Sequence, residues 1–201
     1  MAKVKMIMNG AMGKMGRSIS AGLCEEPDLE LAAAIDVKTS DTDFGFLCGS
    51  TDPLGFGVTS DLAGAIKKQQ PDVLVDFTNP QAIMDSIYVS VSCRVPIVVG
   101  TTGFTSADLK KIESWCRDYD TPVFIAPNFA LGAVLLMRFA KEAARYMPNV
   151  EIIERHHDQK LDAPSGTAVT TLETISEVRD VVAQGNAQEF ERINGSRGGD
   201  Y

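Results

Sequence analysis

The stretch from Glu154 to Ala168, ERHHDQKLDAPSGTA, carries both histidines of a 201-residue chain, side by side, with a lysine and a Pro-Ser-Gly-Thr step close behind. If 150–157 is a strand, alternate side chains share a face. Glu154, His156 and Asp158 then point one way, with Lys160 following, and His157 points the other. Histidine titrates near neutrality, a neighbouring carboxylate can orient it, and a lysine supplies positive charge where negative charge develops. The set suits general acid–base chemistry centred on His156 and Lys160. Two adjacent histidines on a strand diverge, there is no third, and a zinc site takes three or four ligands, so no metal is expected. An isolated pair would ordinarily be one structural and one exposed histidine; the residues that follow change the balance. Ser165, Gly166 and Thr167 precede a predicted helix over 167–184, where hydroxyls and free N–H groups can cap the helix or hold a small carboxylate. No G-x-S-x-G elbow surrounds Ser165, which argues against a nucleophilic serine.

A second constellation opens the chain. NGAMGKMGR places Gly10, Gly13 and Gly16 three residues apart between an apolar run and a helical pattern. Such glycines allow a tight turn, a close approach to a pyrophosphate and close helix–strand packing, with the phosphates on the helix N-terminus. Asp36 ends the second apolar run, 20 residues after Gly16, where a carboxylate can hold a ribose 2′-hydroxyl. Without a ligand, the same glycines would be a turn-and-packing cluster. Lys38 and Arg17 could approach a 2′-phosphate, so NADH and NADPH both remain open, and Lys38 equally reads as a solvated loop charge.

These residues need a scaffold. Apolar runs at 4–8, 29–35, 72–77, 95–100 and 122–127 are nearly continuous, as in strands of a parallel sheet buried on both faces. Helical patterns at 14–26, 61–69, 80–92 and 106–119 alternate with them; Pro80 suits a helix start and Ser106 a cap. This alternation predicts an α/β, Rossmann-type doubly wound parallel sheet. Ligands bind such sheets at the carboxyl ends of the strands. Three ends stand out: DFTNP with Phe77 and Thr78, GTTGF with Gly100, Thr101 and Thr102, and APNFA with Ala126, Asn128 and Phe129. Singly each is an ordinary turn; together they suggest a nicotinamide pocket. Residues 38–60 read as a long loop. Past Pro127 the pattern changes to a helix over 131–146, a strand over 150–157 and the helix from 167. The expected domains are therefore 1–127, dinucleotide-binding, and 128–201, a smaller α+β domain for substrate binding and oligomerisation.

A net charge of −8 argues against a nucleic-acid backbone or an anionic membrane as partner. No run is long enough to span a membrane, and four scattered cysteines without a C-x-x-C pair suit a reducing cytoplasm.

ERHHDQKLDAPSGTA, together with GAMGKMGR, DFT, GTTG and APNFA in this order, closely resembles the dihydrodipicolinate (4-hydroxy-tetrahydrodipicolinate) reductases over essentially the whole chain. The resemblance implies NADH- or NADPH-dependent reduction of a small cyclic imine dicarboxylate in diaminopimelate and lysine biosynthesis. It makes His156 the proton donor and Lys160 a catalytic cation. His157, Ser165, Gly166 and Thr167 would hold the substrate carboxylates. Gly10, Met12, Gly13, Lys14, Met15, Gly16 and Asp36 would line the cofactor's phosphates and ribose, while Gly100, Thr101, Thr102 and Asn128 would border the nicotinamide. It further implies a homotetramer built through the second domain. Members of that family are expected to continue past SRGGDY, so the second domain is expected to be incomplete. A catalytically impaired fragment that retains dinucleotide binding is the alternative. A semialdehyde dehydrogenase would need a cysteine nucleophile, and the last cysteine, Cys116, falls in a predicted helix.

Overall fold

A computed structural model describes residues 2–126, 128–147, 149–156, 158, 163–180, 188 and 190–196. Two units emerge, Met1–Ala126 and Pro127–Tyr201.

The first unit is built on β1 (Val4–Asn9), β2 (Leu29–Ile35), β3 (Val58–Thr59), β4 (Val73–Asp76), β5 (Ile97–Val99) and β6 (Val123–Ile125). They form one sheet in the order β3-β2-β1-β4-β5-β6, and every pairing is parallel. The continuous apolar runs have their reason in its two covered faces. Ile7, Ala33, Ile35, Leu74, Ile97 and Val99 project into one core, and their neighbours Met6, Met8, Leu31, Ala34 and Val75 into the other. Helices α3 (Leu62–Gln69), α4 (Ile83–Ser92) and α5 (Ser106–Tyr119) supply the first core through Ile66, Ile87 and Ile112. Helices α1 (Lys14–Glu25) and α2 (Phe44–Cys48) supply the second through Leu23 and Phe44.

The predicted strands and helices of this unit are all present to within a few residues at their ends, with a different cap on one helix and a later start to another. Helix α5 is capped by Thr105, whose hydroxyl accepts the Asp108 N–H while the Asp108 carboxylate accepts in return, so Ser106 is the first helical residue and not the cap. Helix α4 begins at Ile83, beyond Pro80, because the Asn79 side chain first closes a turn by accepting from the N–H groups of Gln81 and Ala82. Residues 38–60, expected to be a loop, hold α2 and β3. One carboxylate organises them: Asp43 accepts the N–H groups of Gly45, Leu54 and Gly55 at 2.8, 2.9 and 2.6 Å. Burial of Phe44 against the sheet completes the arrangement.

In the second unit, α6 (Leu131–Ala144) packs on α7 (Gly166–Ser176), burying Ala144, Ala168 and Ile175, and Lys141 pairs with Glu177. The strand expected over 150–157 does not form among residues 149–156, since a strand exists only by pairing and no ladder reaches them among the described residues. Helix α7 ends at Ser176, short of the predicted 184, with Glu177 as its C-cap. No helix among the described residues is long and apolar enough to cross a membrane.

Candidate active site

The turn after β1 is shaped by its glycines. Gly10 has φ +78°, and a Cβ there would stand 2.6 Å from the carbonyl oxygen of Phe77. The space for a Cβ on Gly16 is filled by the carbonyl oxygen of Gly10, so helix α1 can sit this close to β1 only with glycine at that point. The turn hangs from the end of β2, where the Ile35 carbonyl accepts from Gly10 and Ala11 at 2.9 and 3.0 Å. No side chain caps α1. The N–H groups of its first turn, at Lys14, Met15 and Gly16, are therefore open to an anion at the positive end of a 12-residue helix.

Asp36 follows β2 and faces this turn. Its Oδ2 accepts the Met12 N–H at 2.8 Å and its Oδ1 the Lys38 N–H at 2.9 Å. A carboxylate keeps further lone pairs beyond those two bonds, so it can still accept from a ribose hydroxyl. Lys38 thus meets Asp36 through its backbone.

A cavity of about 260 Å³ opens at the carboxyl ends of the central strands, lined by Met15, Phe77, Thr78, Pro80, Gly100, Thr101 and Thr102. Six of these are residues singled out above; the seventh, Pro80, carries only a helix-start signal in the sequence. Within that wall, the buried hydroxyl of Thr101 has no hydrogen-bond partner among the described residues. The open helix end, the glycine turn, the acid at the end of β2 and this cavity together fit a dinucleotide: pyrophosphate, ribose and an aromatic ring each meet suitable groups. Ala126 lies at the end of β6, its N–H donating to Val99 at 3.1 Å. Asn128 and Phe129 fall in the second unit.

Beneath the cavity wall sits Asp76, with no exposed surface. Burial pushes its carboxyl above the usual carboxylate range, and hydrogen bonds from Thr78, Asn9 and Ser86 pull the other way. Asp76 opens the DFTNP motif, but the sequence gives it no role of its own, because an acid at a strand end is ordinary.

In the second unit, the side chains of Glu154 and His156 meet as expected: Glu154 Oε2 lies 3.6 Å from His156 Nδ1, with the imidazole 40% exposed. A contact between two side chains two residues apart needs no ladder pairing, so it survives the loss of the predicted strand. The other Glu154 oxygen, Oε1, accepts the backbone N–H of Ser165 at 2.8 Å. Ser165 is the N-cap of α7, its Oγ accepting from the Ala168 N–H at 3.1 Å, so capping and site geometry coincide there. The N–H groups of Gly166 and Thr167 donate to none of the described residues. Thr167 Oγ1 accepts from Asn128 Nδ2 at 3.3 Å, a contact within the second unit. His157 and Lys160 lie outside the described residues. No group of three or more metal-ligating side chains gathers among the described residues.

Comparison with known proteins places this geometry. Residues 4–129 match the family model for dihydrodipicolinate reductase, N-terminus, and residues 132–201 that for its C-terminus. A 4-hydroxy-tetrahydrodipicolinate reductase of Desulfitobacterium hafniense is 47% identical over the whole chain, which spans 75% of the relative's length. One from Syntrophomonas wolfei is 46% identical over 98% of the chain and 74% of the relative. Among solved structures, a dipicolinate-bound dihydrodipicolinate reductase from Paenisporosarcina sp. TG-14 superposes with a TM-score of 0.76 at 38% identity, covering 99% of this chain and 75% of the other. The chain belongs to the dihydrodipicolinate reductases, oxidoreductases that use a nicotinamide dinucleotide for the reductive step of diaminopimelate and lysine biosynthesis.

Proposed function

We propose a division of labour along the chain, with residues up to 127 binding the cofactor and residues from 128 binding the substrate. The cofactor's pyrophosphate rests on the turn Gly10–Gly16, through the open N–H groups of Lys14, Met15 and Gly16, with Met12 and Gly13 shaping the turn. Asp36 accepts from the adenosine ribose. Phe77, Thr78, Gly100, Thr101 and Thr102 surround the nicotinamide end, with Ala126 beside them. When bound, NAD(P)H supplies the hydride.

A carboxylate beside an N–H-rich turn favours the unphosphorylated ribose of NADH. Lys38 and Arg17 offer charge to the 2′-phosphate of NADPH, so both forms serve, with Asp36 tilting the balance to NADH.

The substrate is a small cyclic dicarboxylate, in keeping with the dipicolinate bound by the structural relative. The open N–H groups of Gly166 and Thr167, the Ser165 cap and His157 hold its carboxylates. His156, oriented by Glu154, donates the proton that follows hydride addition, and Lys160 stabilises the negative charge that develops. Asn128 and Phe129 complete the rim, Asn128 by fixing the Thr167 hydroxyl. The apolar side chains Leu136 and Phe139, about two-thirds exposed at 65% and 64% on α6, suit assembly into a homotetramer. Unpaired cysteines suit the cytoplasm.

The observation that carries this reading is Glu154 joining the His156 imidazole to the start of α7. Its test supplies the substrate in place, from pyruvate and aspartate semialdehyde with purified synthase, and follows NADH loss by absorbance. His156→Gln and Lys160→Met should each lower turnover by roughly 10²–10⁴-fold while NADH binding stays unchanged. Undiminished turnover in both would remove the catalytic assignment.

A further inference from the structure

Asp76 is a fully buried carboxylate with no ion pair among the described residues. Such a group is expensive to hold, and well-packed apolar residues commonly replace buried charge without loss of stability. Its hydrogen bonds show what an apolar residue could not do. Oδ2 accepts from Asn9 Nδ2 at 2.7 Å, at the end of β1. Oδ1 accepts both the backbone N–H and the hydroxyl of Thr78, at 2.9 and 2.6 Å. Asn9 Nδ2 reaches on to Ser86 Oγ in α4 at 2.9 Å, and the Asp76 carbonyl accepts the Gly100 N–H at 2.9 Å.

One side chain and its backbone therefore tie together the ends of β1, β4 and β5. Each tied segment then enters the cofactor region. Thr78 and Gly100 line the cavity. The peptide between Asp76 and Thr78 presents the Phe77 carbonyl against Gly10, in the gap that only a missing Cβ leaves.

We propose that Asp76 is the positioning residue of the cofactor cleft, setting dinucleotide affinity by locking the Thr78 turn and the Asn9–Gly10 turn into one rigid wall. It touches no reacting atom and acts through Thr78 and Asn9. The proposal rests on the cofactor site assigned above.

The test measures NADH binding by fluorescence titration and thermal unfolding of the unliganded chain. In Asp76→Asn the single amide oxygen serves only one side, so the N–H is turned either on the Asn9 amide or on the Thr78 backbone N–H, donor against donor. The double variant Asn9→Asp, Asp76→Asn exchanges the two groups, so a donor again faces an acceptor. Asp76→Asn should weaken NADH about tenfold, the loss of one hydrogen bond's worth of preorganisation. The exchanged pair should return to within about threefold of wild type. Unchanged affinity in Asp76→Asn would overturn the proposal. So would an exchanged pair that regains its melting temperature while NADH stays tenfold weaker, since the network would then support only the core. Should Asp76→Asn fail to fold, Thr78→Val removes the hydroxyl bond alone, and full NADH affinity there would overturn the proposal equally. A wild-type chain that binds neither NADH nor NADPH would instead remove the cofactor site itself, and Asp76's role with it.

Discussion

Oε1 of Glu154 accepts the backbone N–H of Ser165 at 2.8 Å, fixing a carboxylate to the first turn of α7. Its other oxygen is the one that faces His156, at 3.6 Å. A general acid works only when held in the geometry of proton transfer, and here the holder is itself held by a backbone group that cannot turn away. Glu154→Gln can keep an acceptor for Ser165, but it then turns an uncharged N–H to the imidazole in place of the carboxylate oxygen. Turnover in the coupled assay should fall about tenfold, the order expected for removing a carboxylate charge this close to the imidazole, with NADH binding unmoved. Turnover equal to wild type would show that His156 needs no partner.

The cofactor half was legible because its rules are local. Three glycines, a strand before them and an acid 20 residues on are enough to predict a tight turn before a helix with a carboxylate facing it, which is the geometry observed. The cavity wall followed from knowing which strand ends face a ligand. Asp76 was not legible, because its importance lies in bonds to Asn9, 67 residues away in sequence, and no local pattern encodes a long-range network. The 38–60 segment reads as loop in the sequence for a related reason. Asp43 gathers N–H groups from as far as Gly55, and the Gly, Ser and Asp composition shows the turns but not the carboxylate that organises them. At 150–157, alternation gave the side-chain faces and misjudged the backbone, since pairing is a property of a neighbour and not of the segment.

Two glycines of α1 separate packing from propensity. A methyl on Gly16 would collide with the Gly10 carbonyl, whereas nothing lies within 4 Å of the place a Cβ would take on exposed Gly22. Gly16→Ala should destabilise the chain by about 3 kcal/mol through overpacking and weaken NADH by displacing the turn. Gly22→Ala should stabilise it by roughly 0.5–1 kcal/mol, the ordinary helix preference of alanine. Denaturant unfolding of both variants checks the pair; similar shifts in the two would mean that the turn relaxes freely.

Asp36 offers a test of cofactor choice. Its carboxylate already organises Met12 and Lys38 through their N–H groups, so its removal loosens the turn for either cofactor. Only NADH, however, also loses an acceptor for its ribose hydroxyl. Asp36→Ala should therefore weaken NADH about tenfold and NADPH by less than about threefold, as measured by titration of each. Equal losses would mean that Asp36 shapes the turn without reading the ribose.

Acid should loosen the 43–56 segment before the sheet. The Leu54 N–H foremost, with those of Gly55 and Gly45, holds the Asp43 carboxyl below its ordinary value of 3.8. Because its pKa in the folded chain is the lower one, this group stabilises the fold above pH 3.8, and the contribution drains away as pH falls through the depressed value. Asp43→Asn lacks the charge at every pH. The variant should melt below wild type near neutrality, and the gap should close as the pH drops under 3.8, where wild-type Asp43 gains its proton. Melting curves of both proteins from pH 7 to about 3 decide the matter, with amide exchange at Leu54 and Gly55 locating the change. A gap that persists unchanged into acid would mean that the carboxylate charge does not organise the segment, and that side-chain shape alone holds α2 against the sheet.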